Sequence, residues 1–247
     1  MTNPRCLHAL VPAAGRGARM ASGLPKQYLP LAGRPMLVHT VEALLAERRL
    51  SSVSVVLAPD DGDFDASGCA GSLQRHGERV RVIRCGGDTR AASVRNGLRA
   101  LAGAVGAQDW MLVHDAARPC LPPSALARLI DTLLDDPVGG LLAMPVADTL
   151  KRGNAEGIVV DNPSREGLWG AQTPQRFRYA ALLTALDAAV EAAARPGGQP
   201  ATDEAQAVEA GGLRPRLVRG DPRNLKVTWP ADVALAEGFL QHFPDMR

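Results

Sequence analysis

Apolar positions along the chain fall into short solid runs that alternate with longer, helically spaced stretches. Leu7–Pro12 reads as a buried strand that runs into a loop of small residues. Pro35–Glu47 follows as a helix, with proline in the first turn and apolar positions at Leu37, Val41, Leu44 and Leu45. Val53–Leu57 is predicted as a second strand and Val80–Arg84 as a third, while residues 60–78 between them show no clear period. Ala91–Leu101 is a predicted helix, Trp110–His114 a fourth strand, and Pro123–Leu134 the next helix. Strands separated by helices of this length are joined by right-handed crossovers and lie parallel. The expected class is therefore α/β, with a Rossmann-like, mostly parallel sheet flanked by helices.

After Leu141–Val146 the pattern changes. Residues 147–175 hold only short apolar pieces, Ile158-Val159-Val160 and Leu168-Trp169, split by Gly, Asn and Pro. That composition predicts an extended β-arm or hairpin, too small to be a domain. Arg176–Ala194 reads as an alanine-rich helix stopped by Arg-Pro-Gly-Gly. Thr202 is placed as the cap of a further helix, with Asp203 and Glu204 in its first turn. Leu213–Arg219 is a predicted strand and Pro230–Phe243 a closing helix.

Composition narrows the function classes. With 46% hydrophobic residues over 247 positions, the chain can bury a core and is not wholly disordered. No apolar run reaches the roughly 18 residues that would cross a bilayer, and Met1–Arg5 does not open a signal peptide. A net charge of +2 without a basic cluster gives no nucleic-acid footprint. Neither a membrane nor a nucleic acid is expected as a partner. Cys6, Cys69, Cys85 and Cys120 form no CxxC pair, and the histidines form no HExxH, so no structural metal is expected. Cys6 and Cys85 lie in or beside apolar runs, which predicts buried, reduced thiols in a cytoplasmic protein. Only three of the 28 basic residues are lysines, Lys26, Lys151 and Lys226, which singles each of them out.

A parallel sheet places ligands in the crevice at the carboxyl ends of its strands. The loops after strands one, three and four are the ones with unusual chemistry. In the first, Gly15 and Gly17 let backbone N–H groups approach phosphate oxygens, and Arg19 and Lys26 add cations. Met20 stands where a dinucleotide fingerprint has its third glycine, and no Gly-Lys-Ser/Thr follows, so neither common phosphate loop is present. The second loop, Gly86-Gly-Asp-Thr-Arg90-Ala-Ala-Ser93, opens a helix whose free N–H groups suit an anion or a base edge. Taken alone, it reads rather as a plain glycine turn capped by Asp88. In the third, His114-Asp-Ala-Ala-Arg-Pro119, Asp115 either faces a ribose, a substrate hydroxyl or a hydrated metal, or pairs with Arg118. His114 reads as a packed strand residue rather than a base.

Taken together, Ala13-Ala-Gly-x-Gly-x-Arg19-Met20…Pro25-Lys26-Gln27, Gly87-Asp-x-Arg90-x-x-Ser93-Val94, Val113-His-Asp-Ala-Ala-Arg-Pro119, Asp148-Thr-Leu-Lys151, Thr173-Pro-Gln175, Thr202-Asp-Glu-Ala205 and Asn224-Leu-Lys-Val-Thr228 resemble the 2-C-methyl-D-erythritol 4-phosphate cytidylyltransferase family of the non-mevalonate isoprenoid pathway. The resemblance runs from about residue 10 to residue 237. It implies one nucleotidyltransferase domain over residues 1–247, with 147–175 as an arm that interlocks a homodimer. CTP and methylerythritol phosphate are the implied substrates, with magnesium held mainly through the CTP phosphates. Arg19 and Lys26 match the catalytic cations. Ala13, Ala14, Gly15, Gly17, Gly86, Asp88, Ser93 and Ala116 match nucleotide contacts. Asp115, Arg118 and Thr202 match residues around substrate and nucleotide, and Arg165 and Lys226 match the pair that positions the acceptor. Thr149 and Thr173 match arm residues that reach the partner subunit's site. Gln172 and Trp229 depart from the family's pattern. A sister enzyme that activates ribitol 5-phosphate with CTP would share the nucleotide half and differ at the arm and the Arg165/Lys226 wall.

Overall fold

The computed structural model describes residues 6–15 and 23–243. Strand β1 (Leu7–Pro12) leads through the first loop to a single 3₁₀ turn at Lys26–Tyr28 and a small ribbon, β2 (Pro30–Leu31) and β3 (Arg34–Pro35). Helix α1 (Met36–Leu45), β4 (Leu50–Leu57), α2 (Asp63–Ala66), α3 (Cys69–Gln74), β5 (Val80–Arg84), α4 (Arg90–Ala100) and β6 (Trp110–Val113) follow. Then come α5 (Pro123–Thr132), β7 (Gly139–Pro145), the arm strands β8 (Arg152–Gly153) and β9 (Val159–Asp161), β10 (Trp169–Arg178), α6 (Tyr179–Ala193), α7 (Glu204–Ala210), β11 (Arg216–Arg219) and α8 (Pro230–His242).

Seven strands make the central sheet in the order β11-β7-β10-β6-β1-β4-β5, and β10 runs antiparallel between β7 and β6. The neighbouring pairs β1–β4, β1–β6, β4–β5 and β11–β7 are parallel, as the alternating pattern predicts. Both faces are covered. One face packs against α1 and α5 through residues such as Leu37, Val41, Leu44 and Leu129. The other packs against α4 and α6 through Val94, Leu98, Leu182 and Leu186. The central parallel strands are consequently mostly apolar, as strands covered on both sides are. Helix α4 lies close to β1 and β4 because Gly97 faces them: a Cβ there would come within 2.5 Å of Val56 and 2.8 Å of Leu10.

Four expectations from the sequence need correction. The predicted helix at Arg176–Ala194 begins three residues late, at Tyr179, because Arg176, Phe177 and Arg178 still pair with β6. Phe177 is buried there, and the buried Arg176 stacks over Trp110 while donating to the Ile130 carbonyl at 2.7 Å. The arm is correspondingly shorter than 147–175, since its last residues belong to the sheet: Thr173 is buried and Gln175 pairs with Val113. Asp203, not Thr202, caps α7, accepting from the Gln206 N–H at 2.9 Å. Finally, Cys69 and Cys120 are the buried thiols, whereas Cys6 is exposed and Cys85 only half-buried. Among the described residues no helix is long and apolar enough to cross a membrane.

Candidate active site

The carboxyl ends of β1, β5 and β6 open into a cleft of about 690 Å³. That size suits a small-molecule ligand. Its floor is the first loop. Ala13 continues the sheet by donating to the Val56 carbonyl at 2.8 Å, and its own carbonyl accepts from the buried Gln27 amide at 2.8 Å. Gln27 thereby fixes the 3₁₀ turn that carries Lys26 onto the cleft wall. Ala13, Ala14, Gly15 and Lys26 all line the cavity. Gly17 and Arg19 lie outside the described residues.

The second loop forms the opposite rim. Gly86 donates to the Leu57 carbonyl at 2.8 Å, and a Cβ on it would strike Ala14 at 2.3 Å, so this close approach of two loops requires glycine. Thr89 caps α4 by accepting from the Ala92 N–H at 3.1 Å. Asp88 is thus not the cap; it is exposed and lines the cleft. Ser93 is a staple: its hydroxyl lies 3.1 Å from the Gly87 carbonyl and accepts from the Gly87 N–H at 3.0 Å.

The third loop supplies the charged wall. Asp115 meets Arg90 at 3.0 Å, Lys226 at 2.9 Å and Arg118 at 3.5 Å. Of the two sequence alternatives for Asp115, the structure shows the pairing with Arg118; the carboxylate also lines the cleft beside Ala116. Burial alone would raise its carboxyl, but Arg90, Lys226 and Arg118 hold it well below the usual carboxylate range. Glu204, fully buried, takes the other side of Arg90 at 2.5 Å. Arg118 is pinned by donating to the Asn224 carbonyl at 2.6 Å. Lys26 donates to the carbonyl of Val227, the neighbour of Lys226, at 3.3 Å. Two of the three lysines thus come together from opposite ends of the chain.

His114 is a packed residue, as expected. Thr173 Oγ1 accepts from the Asp115 N–H at 3.0 Å and lies 2.9 Å from His114 Nδ1. Its hydroxyl hydrogen can therefore go to Nδ1, leaving the Nε2 proton for the Arg118 carbonyl at 3.2 Å. Burial pushes the imidazole down to about 4.

A smaller recess of about 150 Å³ adjoins the cleft and shares Arg90, Asp115 and Lys226 with it. Arg118, Thr173 and Thr202 line this recess. Thr173 is buried in the sheet of its own chain, at the wall of this recess, and not on the exposed part of the arm. Thr149 and Arg165 line neither cavity: both are exposed on the arm, where Arg165 donates to the Ala147 carbonyl. The departures from the family pattern are also placed. The Gln172 side-chain Oε1 accepts from Asn224 Nδ2 at 3.2 Å, and Trp229 stands exposed beyond Lys226.

Arg90, Glu204, Gln27 and Asn224 are functional supports that the sequence reading did not assign as site residues. Arg90 sits in a quoted motif. Glu204 reads as a solvent-facing first-turn acid, yet it shares a face with Val208, which is the available signal for its burial. Gln27 and Asn224 also stand in quoted motifs, without a role assigned to either.

Comparison with known proteins agrees with this geometry. The family model described as 2-C-methyl-D-erythritol 4-phosphate cytidylyltransferase (IspD) matches residues 7–242. The chain is 58% identical over 236 residues to the 2-C-methyl-D-erythritol 4-phosphate cytidylyltransferase of Laribacter hongkongensis (strain HLHK9), covering 96% of each chain. It is 52% identical over 234 residues to the protein of the same name from Dechloromonas aromatica (strain RCB), covering 95% of this chain and 97% of that one. A crystal structure of a 4-diphosphocytidyl-2C-methyl-D-erythritol synthase superposes with a TM-score of 0.80 at 40% identity, covering 96% of this chain and 99% of that chain.

Proposed function

We propose that this chain, which belongs to the 2-C-methyl-D-erythritol 4-phosphate cytidylyltransferase family and is a nucleotidyltransferase, transfers the cytidylyl group of CTP to 2-C-methyl-D-erythritol 4-phosphate in isoprenoid precursor biosynthesis. The observation that carries this reading is the convergence of Lys26, the Gly86–Ser93 loop and the Asp115–Lys226 pair on one cleft.

In the reaction, an oxygen of the acceptor's phosphate attacks the α-phosphorus of CTP in line. The bond to the bridging oxygen breaks, and pyrophosphate leaves. The attacking phosphate is already ionised at neutral pH, so no general base is required. His114 is neutral, buried and bonded on both sides, in keeping with that. What the step needs is position and neutralised charge. Lys26, with Arg19 from the same loop, meets the triphosphate. The Gly86–Ser93 loop, which forms the opposite rim of the cleft, reads the cytosine edge. Lys226, turned by Asp115, holds the acceptor's phosphate in the adjoining recess with Thr202.

The oxygen donors of the cleft fit magnesium. Asp60 and Asp88 line it, but among the described residues no three metal-ligating side chains converge there. These residues would meet a magnesium ion carried by the CTP phosphates, which would lessen charge on the leaving group.

Thr149 and Arg165 complete an acceptor site only from a second copy of the chain. The arm also exposes Ile158, Val159, Val160, Leu168 and Trp169, whose burial is worth about 1.5–3 kcal/mol each. The working form in this reading is a homodimer in the cytoplasm.

Pyrophosphate release from CTP and magnesium is the test, run with methylerythritol phosphate and with ribitol 5-phosphate. Turnover with the first alone is expected. Preference for ribitol phosphate would move the chain to the sister reaction. Equal kcat/KM for CTP and UTP would remove the cytidylyl assignment, because a site that accepts from the cytosine amine leaves an acceptor unpaired against uracil.

A further inference from the structure

The end of the sheet opposite the cleft holds a second group of chemistry-bearing side chains. Cys6, at the entrance to β1, His8 within it, and Asp109, just before β6, each offer one ligand atom, and these atoms all lie within 4.8 Å of one another. β1 and β6 are adjacent and parallel, so their amino-terminal ends coincide. The six residues of β1 put this group roughly 20 Å from the cleft. The absence of a CxxC or HExxH spacing concealed it, since the third member stands about a hundred residues away in sequence.

The three side chains are held in a ligating arrangement. His8 Nδ1 lies 2.9 Å from Ser52 Oγ on the neighbouring strand, which leaves Nε2 as the nitrogen that faces Asp109. Nε2 and Asp109 Oδ2 stand 3.7 Å apart, too far for a hydrogen bond. With metal–ligand bonds of about 2.0–2.2 Å, two ligands of one tetrahedral ion lie about 3.4 Å apart, close to that spacing. Asp109 is fixed by the N–H groups of Cys6 at 2.9 Å and Gly106 at 2.8 Å, one on each carboxylate oxygen. Each oxygen keeps a second lone pair. Such outer contacts are what orient the ligands of a metal. The side chains of His8 and Asp109 retain 13% and 18% exposure and Cys6 is exposed, which provides an entry path.

We propose that Cys6, His8 and Asp109 bind one borderline-soft divalent cation, zinc by its ligand chemistry, with water as the fourth ligand. A thiolate, an imidazole and a carboxylate suit zinc and exclude magnesium, which prefers oxygen donors alone. The ion would tie the start of the chain to β6 and would be independent of the magnesium that accompanies CTP.

Metal-stripped protein titrated with cobalt(II) as the zinc stand-in tests this. One equivalent should bind with a thiolate-to-cobalt charge-transfer band, and zinc should abolish the band stoichiometrically. Cys6→Ser should lose the band while keeping cytidylyl transfer and the circular dichroism of the parent, and His8→Gln should weaken binding at least tenfold. Cys85→Ser should leave both band and affinity unchanged. Zinc should also raise Tm in the parent and not in Cys6→Ser. No band in the parent, or a band that survives Cys6→Ser, overturns the proposal. Since Cys6 is exposed, its serine variant keeps the test decisive even if His8→Gln fails to fold.

Discussion

Asp115 touches three cations of its own chain, whereas Arg165, on the arm, bonds only the arm's own backbone at Ala147. The wall around Asp115 is buried and cross-braced by residues from five separate stretches: Arg90, Arg118, Thr173, Glu204 and Asn224–Lys226. Residues 151–162 of the arm are exposed without exception, and their strands are a two-stranded ribbon. A ribbon of that kind has little independent stability in water. In the proposed reading, nucleotide chemistry is pre-organised within one chain, while the arm's contribution to the acceptor is left to assembly.

The largest expected effect tests the first half of this contrast. Lys26→Ala should lower kcat about 10²–10³-fold, the usual cost of one pre-organised charge contact. The fold should survive, because Gln27 keeps the loop in place through the Ala13 carbonyl. Steady-state kinetics at saturating CTP, with thermal melting alongside, checks both. Near-normal kcat would remove Lys26 from the reaction.

The second half is broken or confirmed by subunit exchange. Arg165→Ala and Lys26→Ala homodimers should both be impaired, one in the arm and one in the cleft. After random exchange in equal amounts, about half the dimers are mixed and each has one intact site, giving about a quarter of parental activity. If verified mixed dimers stay dead, the arm serves its own chain and the contrast collapses.

The contrast also decides what was legible in the sequence. The parallel sheet was readable because strands covered on both faces are solid apolar runs, as in Leu7–Pro12 and Trp110–Val113. The cleft was readable because its loops sit at strand ends and carry glycines and cations at fixed offsets. Supports such as Gln27 and Asn224 were not, because their partners are backbone carbonyls at Ala13 and Thr173, and a carbonyl leaves no residue signature. Arg176 misled for a related reason. A charged residue beside an alanine-rich stretch reads as a solvent-facing helix start, and only tertiary pairing over Trp110 makes it strand core. The arm's exposed Ile158–Val160 was visible as unplaced hydrophobicity, and it stays exposed in the single chain.

A smaller effect separates the two cavities. Lys226→Ala removes a charge-assisted contact worth about 1.5–3 kcal/mol, so KM for the acceptor should rise about tenfold or more. CTP affinity, measured by titration without acceptor, should change much less. A large loss of CTP affinity at unchanged acceptor KM would place Lys226 on the nucleotide side, and the adjoining recess would lose its role.

The smallest effect concerns the pH range over which the wall persists while the arm, solvated already, is indifferent. His114 is held down to about 4 in the folded protein by burial, against an ordinary value of 6.5. Between those values the unfolded chain binds the proton and the folded chain does not, so stability falls as pH drops from about 6.5 towards 4. The contribution is fully present above 6.5. By pH 5 the loss from this group is at most about 2 kcal/mol, from a total of up to about 3 kcal/mol for the whole shift. Asp115, held low by Arg90, Lys226 and Arg118 against its burial, adds a loss in the same direction that begins only near its ordinary range, about pH 4. Chemical denaturation at pH 7 and pH 5 should show the first loss in the parent, and His114→Gln, less stable at pH 7, should show a flatter profile between the two. His8 and His39 are also lowered by burial and remain in the variant, so the difference between the two profiles isolates His114. Identical slopes in parent and variant would mean that burial beside Thr173 and the Arg118 carbonyl does not hold the His114 imidazole down in the folded protein.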